Sequence, residues 1–547
     1  MWIHMRARQA SDVKDLIQAA ASKGQKDSVE ASNMAVTHEI LHLLQTLPIS
    51  VQLITGAILF SVVAFIYSTL SNERPLPGFP VISLSEQGLG PKASWFKFGK
   101  QTILKGLEQT KGPFQILTGT GPKIVVPNRF ADELKGLDEL DFNMALAKDF
   151  FADYPGFEPF AQGLHDDNLV QETIRVKLTQ SLGLVTYDLV DETTASIHDI
   201  FGEDKNWHST QLKQGILDMV ARLSSRVFLG QDLCRNEQWL HIAKNYTVDS
   251  FIAARSLRLV PSILRPVVHW FIPHCIRARK EYADANKLIM PEIERRKERA
   301  QKAIAAGSKP PKTADTIGWM YEIARGRQVD YVAAQLSLTL AAVHTTTEAI
   351  ATAMLDIIEQ PEVLQALRQE VADVVGEQGW SKTAMYKLRL MDSFLKESQR
   401  FHPPNFTSME RLVKSNVQLS DGTVLPAGAR IMVAPRYMDP DVYEEPLKFD
   451  AYRFLREREK PGQVNAWQHV TTSAQHLGFG HGQHACPGRF FASNEIKISL
   501  AHLLLKYDWK ADPTDKTSEM QFEGNFMTDP NVKVQLRRRA EEVRLDI

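Results

Sequence analysis

The sequence predicts a mainly α-helical body with small β-sheets, set behind one apolar N-terminal helix. Three observations lead there. Ile40 to Ser71 contains no Asp, Glu, Lys or Arg. Long segments bounded by prolines, such as Asp330 to Glu359 and Pro487 to Tyr507, carry apolar residues as helices do. Hairpin patterns are few, the clearest being Pro113 to Pro127, where two apolar runs flank Thr118-Gly119-Thr120-Gly121. The composition, 44% apolar and 24% charged, is that of a globular chain. With 64 basic against 65 acidic residues the net charge is −1, which gives no reason to expect nucleic acid as a partner. Three cysteines in 547 residues exclude a disulfide framework, although not one special thiol.

Taken in order, residues 1–39 form an N-terminal extension and 40–71 a transmembrane anchor. A proline-rich hinge at 72–82 leads to one large domain at 83–547. Ile49 to Leu70 would make a helix of roughly 33 Å, enough for a hydrocarbon core of about 30 Å. The alternatives fit less well. A buried core helix would not need to be apolar all round, and a signal peptide would have a shorter apolar run nearer the start. Arg74, Lys92, Lys97 and Lys100 follow the span and favour a cytosolic body. The first 39 residues are too acidic for a mitochondrial presequence. Met34 stands just before the span, so the upstream segment reads as a dispensable leader. Pro75, Pro77 and Pro80 end the helix and stiffen the connector. Within the body, Gly307 to Lys312 is a loop. Pro361 opens a helix, Ser381 to Phe401 is helical up to Pro403-Pro404, and Pro487 to Tyr507 is an apolar helix.

Two motifs prove to be decoys. His38-Glu39-Ile40-Leu41-His42 has zinc-protease spacing but runs straight into the apolar span, with no third ligand in sight. Gly119-Thr120-Gly121 begins like a dinucleotide loop, yet Ile124 stands where a third glycine belongs and no βαβ unit follows. No phosphate-binding loop and no serine nucleophile elbow occurs. The chain therefore has no nicotinamide or flavin domain of its own.

The informative segment is Phe479-Gly480-His481-Gly482-Gln483-His484-Ala485-Cys486-Pro487-Gly488. Its glycines allow a tight loop to approach a ligand closely. Cys486 precedes a helix, whose dipole and free amides are expected to lower the thiol pKa. A thiolate there suits the proximal position of a haem iron. The segment resembles the haem-binding loop of the cytochrome P450 family, F-x-x-G-x-[RH]-x-C-x-G, at Phe479, Gly482, His484, Cys486 and Gly488. A chance match in a chain of this length is on the order of one in ten thousand. The resemblance implies Cys486 as axial ligand to the iron of a haem b, His484 towards a propionate, and Phe479 shielding the sulfur.

Two further motifs agree with the resemblance. Glu397-Ser398-Gln399-Arg400 puts a glutamate and an arginine on one helix face. It resembles the family's E-x-x-R pair, which is structural and is joined by a second arginine. Arg453 is the counterpart here, although Ala451 and Tyr452 replace the usual proline and glutamate. Ala341-Ala342-Val343-His344-Thr345-Thr346 resembles the oxygen-binding stretch, with Ala342 for its glycine and His344 for its acid. Thr345 is then the catalytic hydroxyl, able to bond the Ala341 carbonyl and open the helix locally. His344 either relays protons or merely packs, and both readings stay open. Arg175 is a candidate propionate partner, although the tryptophan usual in that helix is missing. Asn405 to Ser408, parts of Phe142 to Phe160 and the segment around Phe526-Met527 are candidate pocket walls.

The resemblance implies the cytochrome P450 fold and a monooxygenase that takes electrons from a separate NADPH-cytochrome P450 reductase, with cytochrome b5 as a further donor. It also implies a single-pass endoplasmic reticulum protein, in contact with membrane lipid and facing the cytosol. A small hydrophobic substrate is expected. The motif variants resemble fungal secondary-metabolite enzymes, with a terpenoid or indole-terpenoid as first expectation and a polyketide or peptide next. The rival classes are a reductase-independent haem-thiolate isomerase or dehydratase, a non-enzymatic haem protein and an unrelated membrane enzyme.

Overall fold

The structure is a computed structural model that describes residues 48–71, 74–162, 164, 168–309, 312–541, 543 and 545. The chain divides into two compact units, Met1–Asn72 and Glu73–Ile547. The described part of the first unit is dominated by the 23-residue helix Ile49–Ser71. Its apolar side chains stand exposed, among them Ile49, Leu53, Leu59 and Phe60. The side chains of this helix are described only as far as Val63. Among the described residues, no helix is long and apolar enough to cross a membrane. The extension 1–39 and the His38 to His42 motif lie outside the described residues.

In the second unit one helix organises the others. Tyr331–Ile358 packs against Leu212–Leu229, Glu237–Leu259, Pro273–Ala305 and Arg489–Lys506. It starts where Asp330 accepts the Ala333 amide at 2.9 Å, satisfying one of the free donors of its first turn. Its buried positions Leu336, Val343, Ile350, Met354 and Ile357 recur at helical spacing and face the main core.

A five-stranded sheet lies beside the helices in the order Phe114–Thr118, Gly121–Val126, Arg430–Val433, Ser408–Val413, Leu140–Asp141. The pairing of Gly121–Val126 with Arg430–Val433 is parallel and the others are antiparallel. A second sheet joins His208–Gln211, Lys533–Arg538 and Tyr507–Ala511. Gly119, in the hairpin turn, has a role that is steric. A Cβ there would fall 2.5 Å from the Arg258 Cβ, so the residue permits close approach of helix Glu237–Leu259.

Two expectations are corrected. Ser381 to Phe401 is two helices, Lys382–Lys387 and Arg389–Phe401, broken at Leu388. The Glu370 carboxylate accepts the amides of Leu390 at 2.6 Å and Met391 at 2.9 Å, which lets the second helix start afresh. The last long helix begins at Arg489, not Pro487, and ends at Lys506 because Tyr507 pairs with Arg538 in a strand. The proline segment is tied to the first strand of the body. Gln115 holds it through Leu76 N at 2.8 Å and the carbonyls of Leu76 and Phe79 at 2.7 and 2.6 Å.

Candidate active site

The Cys486 loop is held from several sides. The Cys486 amide donates to the Phe479 carbonyl at 2.8 Å, closing the loop on itself. Gly482 has φ +77°, and a Cβ on it would lie 2.0 Å from the Lys135 carbonyl oxygen, so glycine is required twice over. The Gln483 amide donates to that same carbonyl at 2.9 Å. Gly488 caps the following helix and would have room for a Cβ, the nearest atom being Ile174 Cγ2 at 3.8 Å. Arg489 braces the cysteine, donating to the Cys486 carbonyl at 2.7 Å and the Val470 carbonyl at 3.1 Å.

Burial is the largest influence on the Cys486 thiol and pushes its pKa up. The amides of Gly488 and Arg489 and the Arg489 guanidinium pull it back down. The expected net lowering is thus corrected: the protein's own donors oppose burial without overcoming it. Cys234 and Cys275 are buried free thiols that burial pushes up to about 11.

Behind the loop sits a charge network. Glu397 and Arg400 are fully buried and Arg453 nearly so. Arg400 Nε and Nη2 each donate to one Glu397 oxygen at 2.8 Å. Arg453 Nε reaches both oxygens at 3.1 Å, and the Asp450 amide adds a bond at 3.0 Å. The outer nitrogens end on carbonyls: Tyr437 and Pro446 for Arg400, Glu444 and Lys448 for Arg453. Gln399 ties this helix to the loop. Its Oε1 lies 3.0 Å from His476 Nε2, and a Cβ on Gly478 would fall 2.1 Å from the same oxygen.

Cys486 opens on a cavity of about 730 Å³. Phe479, Gly480, His484 and Gly488 share its wall, as do Ala341, Ala342 and Thr345 of the long helix. The Thr345 hydroxyl donates to the Ala341 carbonyl at 2.6 Å, and helix Tyr331–Ile358 runs on through that point. The local opening expected there is therefore not seen. His344 is not part of the wall. Its Nε2 lies 2.8 Å from the Lys244 carbonyl, and burial lowers its pKa. His344 thus points about 100° round the helix from Thr345, towards Lys244.

The remaining predicted residues are also placed. His484 Nε2 donates to the Leu140 carbonyl at 3.2 Å. Arg175 lines the cavity with Nη2 at 3.4 Å from the Gln483 carbonyl. Phe142, Asn405, Thr407 and Ser408 line it, whereas Phe157, Phe160 and Phe526 are core. In the segment around Phe526-Met527, it is Phe522 to Asn525 that line the cavity. One functional candidate escaped the sequence reading. Arg411 is buried beside the cavity, with Nη1 on the Glu410 carbonyl at 2.6 Å and Nη2 without a partner among the described residues. Burial pulls its pKa down to about 10. The available signal was a lone arginine alternating inward on strand Ser408–Val413.

A thiol accepting two backbone amides, a glycine-rich wall and an orphaned buried guanidinium fit an iron porphyrin with anionic side groups. That geometry defines a candidate haem-thiolate site. The family model described as Cytochrome P450 matches residues 168–536. Cytochrome P450 monooxygenase bsc2 of Alternaria brassicicola is 45% identical over 480 residues, covering 86% of this chain and 91% of its own. Cytochrome P450 monooxygenase 1 of Gibberella fujikuroi is 43% identical over 434 residues, covering 79% and 98%. Cytochrome P450 monooxygenase hepE of Aspergillus oryzae is 41% identical over 453 residues, covering 82% and 83%. The chain belongs to the cytochrome P450 family and is a monooxygenase of that family.

The ion network generates a prediction. Arg453→Met strands half of a buried carboxylate and is expected to cost about 3 to 5 kcal/mol. Thermal unfolding and haem content of the purified variant measure this. A melting midpoint and haem occupancy equal to the parent's would reject the role given to the network.

Proposed function

We propose that this monooxygenase oxidises a small hydrophobic secondary metabolite. A terpenoid or indole-terpenoid is the first class, a polyketide or peptide the next. The observation that carries the reading is that Cys486 and Thr345 face one cavity whose wall includes Phe150, Phe228, Phe251, Leu338, Ala349 and Leu395. When bound, a haem b held by the Cys486 thiolate would supply the reductive activation of O₂.

The chain's own residues do the rest. Cys486 offers the sulfur, held by the loop amides. Arg411, Arg175 and His484 are the groups available to the haem's carboxylates. The apolar wall excludes water and orients the substrate. Thr345 holds a proton on its hydroxyl, and this hydroxyl can pass it into the cavity when it leaves the Ala341 carbonyl. His344, turned to Lys244, takes no direct part.

Electrons come from NADPH-cytochrome P450 reductase, with cytochrome b5 as a second donor, since the sequence carries no nucleotide-binding motif. The exposed apolar side chains of Ile49–Ser71 favour a lipid partner, hence a single-pass anchor in the endoplasmic reticulum with the body in the cytosol.

A reduced-CO difference spectrum of membranes carrying the full chain is expected to show the thiolate-haem band, and Cys486→Ser to lose it. An imidazole-type band, or a thiolate band that survives the substitution, rejects Cys486 as the ligand. Turnover without NADPH or reductase would move the enzyme to the isomerase class. With a substrate found by metabolite profiling of a deletion strain, Thr345→Ala should release hydrogen peroxide at the expense of product, a loss of about 10² to 10⁴-fold if the hydroxyl is a proton donor. His344→Gln should leave the ratio of product to O₂ consumed unchanged. The opposite pattern would return the relay to His344.

A further inference from the structure

The wall contributed by helix Glu237–Leu259 presents Phe251, Arg255 and Arg258 to the cavity, spaced so that they share one face. Charged groups are frequent here. Arg175 and Arg411 are available to the haem's carboxylates, and the carboxylates of the wall are matched within the protein. Asp149 takes Lys123 and Arg430. Glu410 takes Lys123 at 3.0 Å, and Glu523 takes Arg258 at 3.1 Å. Glu348 takes Lys213 at 2.6 Å and the Thr528 amide. Arg255 has no carboxylate partner among the described residues. Its guanidinium lies 4.6 Å from the Phe96 ring centroid and 5.1 Å from that of Phe522, and its Nε is buried without a hydrogen-bond acceptor among the described residues.

The two rings are fixed in place. The Glu523 amide donates to the Phe96 carbonyl at 3.2 Å, and the Phe406 amide to the Gly524 carbonyl at 2.7 Å. Gly99 lets helix Pro91–Gln109 approach the turn at Glu523-Gly524, since a Cβ there would fall 2.0 Å from the Glu523 carbonyl oxygen. Aromatic faces hold a guanidinium by cation–π attraction but accept none of its hydrogen bonds in the ring plane. The guanidinium of Arg255 is thus held in place by the two rings, with its buried Nε donor unused.

We propose that Arg255 is a specificity-determining residue that binds a carboxylate carried by an otherwise apolar substrate, so that the opposite end of the molecule is the one presented for oxidation. The inference rests on the proposed function and narrows its substrate class to an apolar acid. A charge-assisted, planar pairing in a partly dry site is stronger than a neutral one, and only an anion or a strong acceptor from outside the protein completes it.

The test uses the full-length holoenzyme with dodecanoic acid, methyl dodecanoate and dodecan-1-ol as probes, flexible chains that do not demand a particular ring shape. Binding is read from the ligand-induced haem absorbance shift and, independently, by titration calorimetry. The acid is expected to bind at least about tenfold more tightly than the ester or the alcohol, the effect of one charge-assisted bond. Arg255→Gln should abolish that preference while leaving ester and alcohol binding unchanged, and Arg255→Lys should keep part of it. Equal binding of acid and ester, no detectable acid binding, or an acid preference that survives Arg255→Gln overturns the inference. The CO spectrum keeps the two levels apart. A protein lacking the thiolate band contradicts the proposed function, whereas a normal band without acid preference contradicts only the role of Arg255.

Discussion

Glu397 is fully buried, and a carboxylate so placed is tolerable only when every lone pair is met. Two arginines and a backbone amide meet it. The arginines in turn spend their remaining donors on carbonyls between Tyr437 and Lys448. One charge therefore fixes three stretches of chain: helix Arg389–Phe401, the irregular segment before Arg453, and the start of helix Arg453–Glu459. A segment with so little regular secondary structure has few backbone ladders of its own. The ion network supplies the rigidity that a sheet or helix would otherwise give.

That rigidity is passed to the cysteine loop through small, specific contacts. Gln399 reaches His476, whose ring packs against Tyr437 and Phe454. Gly478 leaves space for Gln399, and Gly482 for Lys135. The loop can then hold the Cys486 sulfur at the cavity wall, although burial alone disfavours its charged form. The arrangement asks the iron's positive charge to complete what the amides of Gly488 and Arg489 begin, in keeping with the dependence of a ligand thiol on its metal.

Much of this was legible in the sequence because it is written locally. The cysteine loop is ten contiguous residues. Glu397 and Arg400 are one helical turn apart, and Thr345 and Ala341 are likewise within one turn. Arg453 was found only through the resemblance, since 56 residues separate it from Glu397 and no period links them. Arg411, Gln399 and Gly478 were missed for the same reason: their meaning lies in what the fold brings near them. The two readings of His344 stayed open in the sequence because adjacency to Thr345 says nothing about which side of the helix it faces. Gly119, set aside as a nucleotide-loop decoy, is a glycine kept for close packing against Arg258, which only the fold reveals. The expected anchor was a composition signal, and the extension 1–39 before it lies outside the described residues.

The cavity itself combines two requirements that pull apart. Beside Thr345 the wall carries the small residues Ala341, Ala342 and Ala349, while the wall around Asp149, Lys123, Arg258 and Glu523 is dense with matched charge. Matched charge is rigid and leaves little to offer a ligand, which makes the unmatched groups the ones that select. The central claim remains that Cys486 is the iron's protein ligand. X-ray absorption at the iron edge of the purified full-length protein tests it most directly. The account predicts one sulfur among the atoms bound to iron, absent in Cys486→Ser. A first coordination sphere of nitrogen and oxygen alone in the parent protein would contradict it.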